Sequence, residues 1–324
     1  MAQAMRFDTL GGPEVLRLVD VEVGDPGPGQ VRLRQSVAGL NYIDTYHRTG
    51  LYPQPLPSGI GLEGAGIVEA VGTGVETLHA GDRVGYCWGP IGSYATHRLI
   101  AAASVIKLPD AISEDAAAAV LLKGCTTEFL VERCAKVEAG QTALVQAAAG
   151  GVGLLLVQWL RHLGVRVIGT ASNDAKAALA AAAGADAMIV YSREDVAPRV
   201  RDLTDGRGVD VVFDGVGKST FDGSLDSLKR RGLHISFGNA SGPVGPVDFG
   251  ILARKGSLFV TRPTMFDYYT NRDEIERYGG RVLDLVARGV LDVRIDQRYP
   301  LAAAAQAHRD LEARATTGST LLMC

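Results

Sequence analysis

The stretch from Thr142 to Leu163 restricts the fold more than any other part of the chain. Thr142-Ala143-Leu144-Val145-Gln146-Ala147 reads as a buried strand. Val152 to Leu163 reads as a helix, because Val152, Leu155, Leu156, Trp159, Leu160 and Leu163 fall on one face at a period of about 3.6 residues. Ala147-Ala148-Ala149-Gly150-Gly151-Val152-Gly153 joins the two. A strand that runs through a glycine-rich turn into a helix gathers backbone N–H groups and the positive end of a helix dipole at one point. That arrangement suits a pyrophosphate. Gly150 lets the backbone approach the phosphates, and Gly153 lets the helix pack closely on the strand. Ala148 stands where the usual fingerprint has its first glycine. A glycine-rich loop alone is a weak signal. Here a strand precedes it, a helix follows and a second strand arrives on schedule, which is the context that marks a dinucleotide site.

The alternation continues in both directions. Val165 to Thr170 reads as the second strand, Ala175 to Ala183 as a helix closed by Gly184, and Ala187 to Tyr191, Val209 to Asp214, Leu233 to Phe237 and Ser257 to Thr261 as four more strands. Six strands with helices between them predict a doubly wound parallel sheet. Before about Leu122 the texture is mostly β. Val31 to Val37 nearly alternates apolar and polar, Gly66 to Gly72 is a second candidate strand, and Gly81 to Gly85 reads as a turn entering a third. An Ala-rich helical pattern starts near Ser113. After Arg262 a helix near Glu274 to Arg288, a short strand near Asp292 to Ile295, a helix from Ala302 to Ala315 and a terminal strand Ser319 to Met323 are predicted, with this tail packing back on the first domain.

At 324 residues the chain has room for two domains. A net charge of −3 and the lack of any dense basic run argue against nucleic-acid or membrane-surface binding. No apolar stretch approaches the roughly 18 residues of a membrane span, and the first residues do not resemble a secretory signal, so a soluble cytoplasmic protein is expected. The cysteines at 87, 125, 134 and 324 show no paired spacing and read as reduced thiols.

The end of the second strand bears on the choice of cofactor. A site specific for NAD places Asp or Glu there, on the ribose 2′-hydroxyl. Here Gly169-Thr170-Ala171-Ser172 carries no carboxylate before Asp174. The small polar end leaves room for a 2′-phosphate, with Ser172 as donor and Lys176 as cation. Tyr191, at the end of the third strand, is placed to close the pocket. NADPH is therefore the expected cofactor. The plain alternatives are a solvated helix position for Lys176 and a surface aromatic for Tyr191.

With these residues in place a resemblance becomes specific. Gly140-Gln141, Leu144, Ala148-Ala149-Gly150-Gly151-Val152-Gly153, Gln158 and Arg161 resemble the signature of the quinone oxidoreductase and zeta-crystallin family. This family comprises zinc-free members of the medium-chain dehydrogenase/reductase superfamily. The similarity extends to Gly11-Gly12-Pro13-Glu14-Val15-Leu16, Asn41-Tyr42-Ile43-Asp44-Thr45-Tyr46, Gly50-Leu51-Tyr52-Pro53, Gly81-Asp82-Arg83-Val84 and Ser236-Phe237-Gly238-Asn239.

The resemblance implies a GroES-like catalytic domain over 1–122, a Rossmann dinucleotide-binding domain over 123–261 and a return to the catalytic domain over 262–324. It implies a homodimer joined near Ser257 to Thr261, where Leu258, Phe259 and Val260 stand in a row. Carried over residue by residue, it puts Asn41, Lys123, Thr126, Gly150, Gly151, Val152, Ser172, Lys176, Tyr191, Val216, Phe237, Gly238, Asn239 and Arg314 at the cofactor. The family often has glycine where this chain has Ser172.

It also implies no metal. Zinc-dependent relatives have a cysteine where Asn41 stands, and Gly-His-Glu where this chain has Gly61-Leu62-Glu63. Leucine has no donor atom, and an amide is a poor substitute for thiolate. Glu63 then reads as a structural carboxylate in a buried turn. The six histidines show no ligand spacing.

Without zinc, preorganised donors must stabilise charge on the acceptor oxygen as hydride arrives. The candidates are Tyr46 first, then Arg262, with Asn41 and Tyr52. Each has an ordinary alternative: Tyr46 as a wall residue, Asn41 as an amide that fixes its loop, Arg262 as a cation on neighbouring carbonyls. The expected reaction is NADPH-dependent reduction of a quinone. Reduction of activated C=C bonds in enals or enones is the alternative within enzymes. A crystallin-like structural role or RNA binding is the alternative outside them.

Overall fold

The computed structural model describes residues 1–324. The chain forms two compact units. One comprises Met1–Cys125, Tyr269–Gly289 and Val293–Cys324, and the other comprises Thr126–Tyr268 and Val290–Asp292.

The first unit is the GroES-like β fold. Its main sheet has seven strands, in the order Ile295–Pro300, Ser319–Met323, Gln30–Leu40, Glu63–Val71, Arg83–Tyr86 and Ile106–Lys107, with His97–Ala101 also paired to Gln30–Leu40. The alternation read from 31 to 37 is seen in burial. Val31, Leu33 and Val37 are buried, while Arg34 faces solvent. One cluster beneath the sheet joins Val31, Leu33, Val68, Val84, Tyr86 and Ile100. A second joins Met5, Phe7, Leu40, Ile60, Leu301 and Leu322. Fully burying each such side chain stabilises by roughly 1.5–3 kcal/mol. Gln35 is a polar residue on the buried face of the Gln30–Leu40 strand, and its amide is satisfied. Its Nε2 donates to the carbonyls of Ser93 (3.0 Å) and Ala95 (2.6 Å), and its Oε1 accepts from the Tyr86 hydroxyl.

The predicted strand near Asp292 to Ile295 is displaced. The strand covers Ile295–Pro300 and runs parallel to Ser319–Met323. The cause lies at Asp292. Its N–H donates to Gln158 Oε1 (2.6 Å) and its carbonyl accepts from Gln158 Nε2 (3.3 Å), so this backbone is committed to a side chain and joins no ladder.

The second unit is the doubly wound sheet. All six strands are parallel, in the spatial order Ala187–Val190, Arg166–Ala171, Thr142–Val145, Val209–Asp214, Leu228–Ser236, Phe259–Thr261. In chain order that is 3-2-1-4-5-6, with the reversal beside Thr142–Val145. Leu144, Ile168, Ile189, Val209 and Val212 form its core with Phe221, Leu225 and Leu258. In the last strand Phe259 is 61% exposed and Val260 38%. No helix of the chain is long and apolar enough to cross a membrane.

Candidate active site

In the second unit the predicted cofactor residues, apart from Thr126 on the Glu114–Glu128 helix, follow the carboxyl ends of consecutive strands, where α/β sheets bind ligands. The glycine-rich turn follows Thr142–Val145, and the Gly151–His162 helix starts from Gly150 with no side-chain cap. The first-turn N–H groups of that helix therefore meet no capping side chain and are available to an anion. The turn itself is hydrogen-bonded at both ends. Ala147 has φ +53°, its N–H donates to Thr170 Oγ1 (3.1 Å), and Gly150 N–H donates back to the Ala147 carbonyl (3.0 Å).

Ser172 follows the Arg166–Ala171 strand and is half-buried. Lys176 lies in the first turn of the Asp174–Ala183 helix, where its N–H donates to the Asn173 cap (2.9 Å). Asp174, the first carboxylate after the strand, is held by both terminal nitrogens of Arg193 at 2.8 and 2.5 Å. Tyr191 follows the next strand, is exposed, and donates its N–H to the Ala171 carbonyl (3.1 Å).

Val216, Phe237, Gly238 and Asn239 lie on the turns after the fourth and fifth strands. These turns are pinned by buried Asp214. Its Oδ1 accepts from Val216 N–H (2.8 Å), Gly217 N–H (3.1 Å) and Thr220 Oγ1 (2.9 Å), while Oδ2 accepts from Ser224 Oγ (2.8 Å). Burial works to raise the Asp214 carboxyl. The bonds from His234, Thr220 and Gly217 outweigh it and hold the group below the ordinary carboxylate range. Thr126 is half-buried. Arg262 is exposed, and its Nη1 donates to the Ser236 carbonyl (2.9 Å), so the carbonyl-binding alternative describes at least one of its contacts.

In the first unit the remaining candidates surround the Tyr42–Thr49 helix. Asn41 is its N-cap and is buried. Tyr46 is buried, with Tyr42 at 5.7 Å between ring centroids and Tyr52 edge-on at 5.2 Å. Tyr52 N–H donates to the Tyr46 carbonyl (3.0 Å), which ties the segment after the helix to it. Arg314 is exposed in a left-handed conformation (φ +58°); burial raises the Tyr42 phenol above its ordinary range, and the Arg314 charge opposes this.

Glu63 organises the buried side of this group. It is fully buried, and its Oε1 accepts from Leu122 N–H (2.6 Å). Its Oε2 accepts from Asn41 Nδ2 (2.8 Å) and Lys123 Nζ (3.3 Å). Gly39 makes this approach possible, because a Cβ there would lie 2.5 Å from Glu63 Oε2 and 2.1 Å from the Ala118 carbonyl. Asn41, Glu63 and Lys123 thus form one set in which an ammonium rests on the carboxylate. Leu62, beside it, offers no ligand atom.

Asp44, Tyr94, His308 and Arg48 are a buried polar group that the sequence reading did not single out. The spacing Asn41-x-x-Asp44, an N-cap followed by an acid at N3, was the available signal for Asp44. The other three carried none.

Residues 27–110 match the alcohol dehydrogenase GroES-like domain, and residues 151–287 match the zinc-binding dehydrogenase family. A quinone oxidoreductase of Pseudomonas aeruginosa is 50% identical over 324 residues, covering all of both chains. A 2-haloacrylate reductase of a Burkholderia species is 42% identical, covering 100% of this chain and 99% of the relative. The crystal structure of Escherichia coli quinone oxidoreductase complexed with NADPH superposes with a TM-score of 0.98 at 45% identity, covering 99% of this chain and 100% of that one. The chain belongs to the quinone oxidoreductase and zeta-crystallin family of the medium-chain dehydrogenase/reductase superfamily.

Proposed function

We propose that this chain is an NADPH:quinone oxidoreductase that works by direct hydride transfer. The observation that carries the cofactor half is the end of the Arg166–Ala171 strand. Ser172 and Lys176 stand there, and the first carboxylate after the strand, Asp174, is engaged by Arg193. The relatives named above support the substrate half. In this reading residues 123–261 bind the dinucleotide, while 1–122 and 262–324 supply the catalytic domain.

The residues fit the cofactor on the geometry of the turn. The uncapped start of the Gly151–His162 helix offers N–H groups to the pyrophosphate, and Gly150, Gly151 and Val152 lie against it. Ser172 and Lys176 take the 2′-phosphate, with Tyr191 over it. Val216, Phe237, Gly238 and Asn239 line the rest of the cofactor, with Asn41, Lys123, Thr126 and Arg314 as its remaining contacts. NADPH, when bound, supplies the hydride. The protein then stabilises charge on the quinone oxygen through donors, Tyr46 first and Arg262, Asn41 and Tyr52 after it. A quinone is electrophilic enough to accept the hydride without a dedicated general acid, and water protonates the hydroquinone anion that results.

Two substitutions test this reading. Lys176→Ala removes a charge-assisted contact worth about 1.5–3 kcal/mol, so NADPH affinity should fall by roughly ten- to a hundredfold while NADH binding is unchanged. Equal losses for both cofactors in nicotinamide-fluorescence titrations would refute the 2′-phosphate assignment. Tyr46→Phe should lower quinone turnover by about tenfold or less. A loss beyond about a thousandfold would show that the hydroxyl carries the whole task of an oxyanion donor.

The second reading, reduction of activated C=C bonds, is favoured by the 2-haloacrylate reductase relative. Turnover on 1,4-benzoquinone and on a small enone under the same conditions separates the two. We also propose a homodimer joined near Ser257 to Thr261, where exposed Phe259 and Val260 end the sheet at an edge. Cytoplasmic localisation is part of the same proposal.

A further inference from the structure

A buried hydrogen-bond chain ends on the loop that carries Asn41. Asp44, Tyr94 and His308 are fully buried and Arg48 is 1% exposed. Arg48 Nη1 lies 2.9 Å from His308 Nδ1, and its other nitrogens donate to Glu312 Oε1 (2.7 Å) and the Gly11 carbonyl (3.0 Å). His308 Nε2 lies 3.3 Å from the Tyr94 hydroxyl. That hydroxyl donates to Asp44 Oδ2 (2.8 Å), which also accepts Asn41 N–H (2.9 Å).

The direction of the chain follows from its donor inventory. A guanidinium only donates, so His308 Nδ1 accepts and Nε2 carries the hydrogen. Nε2–H then donates to the Tyr94 oxygen, and the Tyr94 hydrogen is committed to Asp44. Arg48 closes the chain, because it has no acceptor through which a proton could enter. The chain therefore fixes geometry rather than conducting protons.

Asp44 Oδ1 stands apart. It is buried and has no hydrogen-bond partner. A carboxylate would bury charge on an unsatisfied oxygen, whereas a carboxylic acid carries its hydrogen there and leaves Oδ2 to accept both donors unchanged. We propose that Asp44 is a positioning residue that holds Asn41 and the start of the Tyr46 helix as a neutral acid, and that its ionisation sets the upper pH limit of turnover. The neutral form adds no negative charge beside the donors that must stabilise an oxyanion. The ionised form opposes that charge.

The surrounding groups agree. Burial pushes the Asp44 carboxyl up to about 7, and the nearby Glu63 charge adds to this. Asn41 N–H, the Tyr94 hydroxyl and the Lys123 charge pull the other way. Tyr94 is raised well above the ordinary phenol range, first by burial and then by Asp44. Burial and then the Arg48 charge lower His308 to about 3, so it stays neutral wherever the enzyme is assayed. His47, on the same helix, is lowered to about 4 by burial.

The proposal rests on the reductase reading, and its test separates the two. Asp44→Asn places an N–H₂ where the acid carries its hydrogen and keeps an oxygen for Asn41 and Tyr94. Wild-type kcat with NADPH and benzoquinone should fall by about tenfold between about pH 6 and about pH 9, with its inflection near neutrality. Asp44→Asn should hold the low-pH rate across that range to within about twofold, and His308→Gln should keep the wild-type profile. An unchanged inflection in Asp44→Asn, or loss of activity at every pH, overturns the proposal. If Asp44→Asn does not fold, the wild-type infrared spectrum decides. A protonated-carboxyl band that titrates near neutrality supports the assignment, and its absence at about pH 6 overturns it. That readout needs no substrate, so it stands whether or not quinones are turned over.

Discussion

Replacing Gly153 with valine is expected to cost about a hundredfold or more in NADPH affinity and about 3 kcal/mol in stability. A Cβ at Gly153 would lie 2.4 Å from the Ala147 carbonyl oxygen and 2.8 Å from both the carbonyl carbon and the Cα of Ala148. All three are backbone atoms, so no rotamer change relieves the clash. The turn cannot retreat either. Ala148 N–H donates to the Thr170 carbonyl (2.9 Å), and Ala147 N–H to Thr170 Oγ1 (3.1 Å). Thr170 Oγ1 donates to Gln146 Oε1 (2.8 Å), whose Nε2 donates to Ser224 Oγ (3.0 Å), and Ser224 is tied in turn to Asp214 (2.8 Å). The helix must move instead, and its first-turn N–H groups move with it. Gly223→Ala is the control, because a Cβ there meets nothing within 4 Å and the site is helical. It should gain roughly 0.5–1 kcal/mol from helix propensity and leave NADPH binding alone. NADPH titration and urea unfolding of both variants check this. Wild-type affinity in Gly153→Val would show that the turn does not place the phosphates.

The contrast between these two glycines reflects what periodicity exposes. The 151–162 helix, its glycine turn and the presence of six strands between helices were legible because each is a local pattern with a fixed repeat. Leu228–Ser236 was less so. After buried Leu228 come Lys229, Arg230 and Arg231, which are exposed and charged, and Arg231 has φ +59°, so only the apolar end from Leu233 carried a strand signal. Asp292 misled for another reason, since the Gln158 side chain that claims its backbone is 134 positions away.

The polar interior of the first unit was the least legible part. Arg48 pairs with His308 across 260 positions and Tyr94 with Asp44 across 50, and neither spacing repeats anywhere. An arginine in a helix normally reads as a solvated face, yet burying Arg48 is tolerable because three acceptors meet its guanidinium. Glu63 was legible as a structural carboxylate only through the absence of a ligand set around it. Its partner Lys123, at the far end of the pairing, was read as a cofactor contact.

That pairing leads to the second large expectation. Glu63→Gln should destabilise the protein by about 3–5 kcal/mol, the usual cost of removing one member of a buried pair. The amide keeps an oxygen for Leu122 N–H or for Asn41 Nδ2 but offers no charge to Lys123. Solvent cannot compensate, because the two side chains are 0% and 8% exposed. Lys123→Met alone should cost less, about 1–3 kcal/mol, because Glu63 keeps its bonds from Leu122 N–H (2.6 Å) and Asn41 Nδ2 (2.8 Å). The double variant should lose about 2 kcal/mol less than the sum of the two, since each change removes the reason the other is harmful. Denaturant unfolding of the four proteins without cofactor measures this coupling and keeps it apart from any contact Lys123 makes with NADPH. Additivity to within about 0.5 kcal/mol would mean that the ammonium and the carboxylate are neighbours without being an energetic pair. In that case Glu63 would be conserving the loop through Asn41 and Leu122 alone, and the stability of the Asn41 loop would depend on hydrogen bonding to one carboxylate rather than on charge.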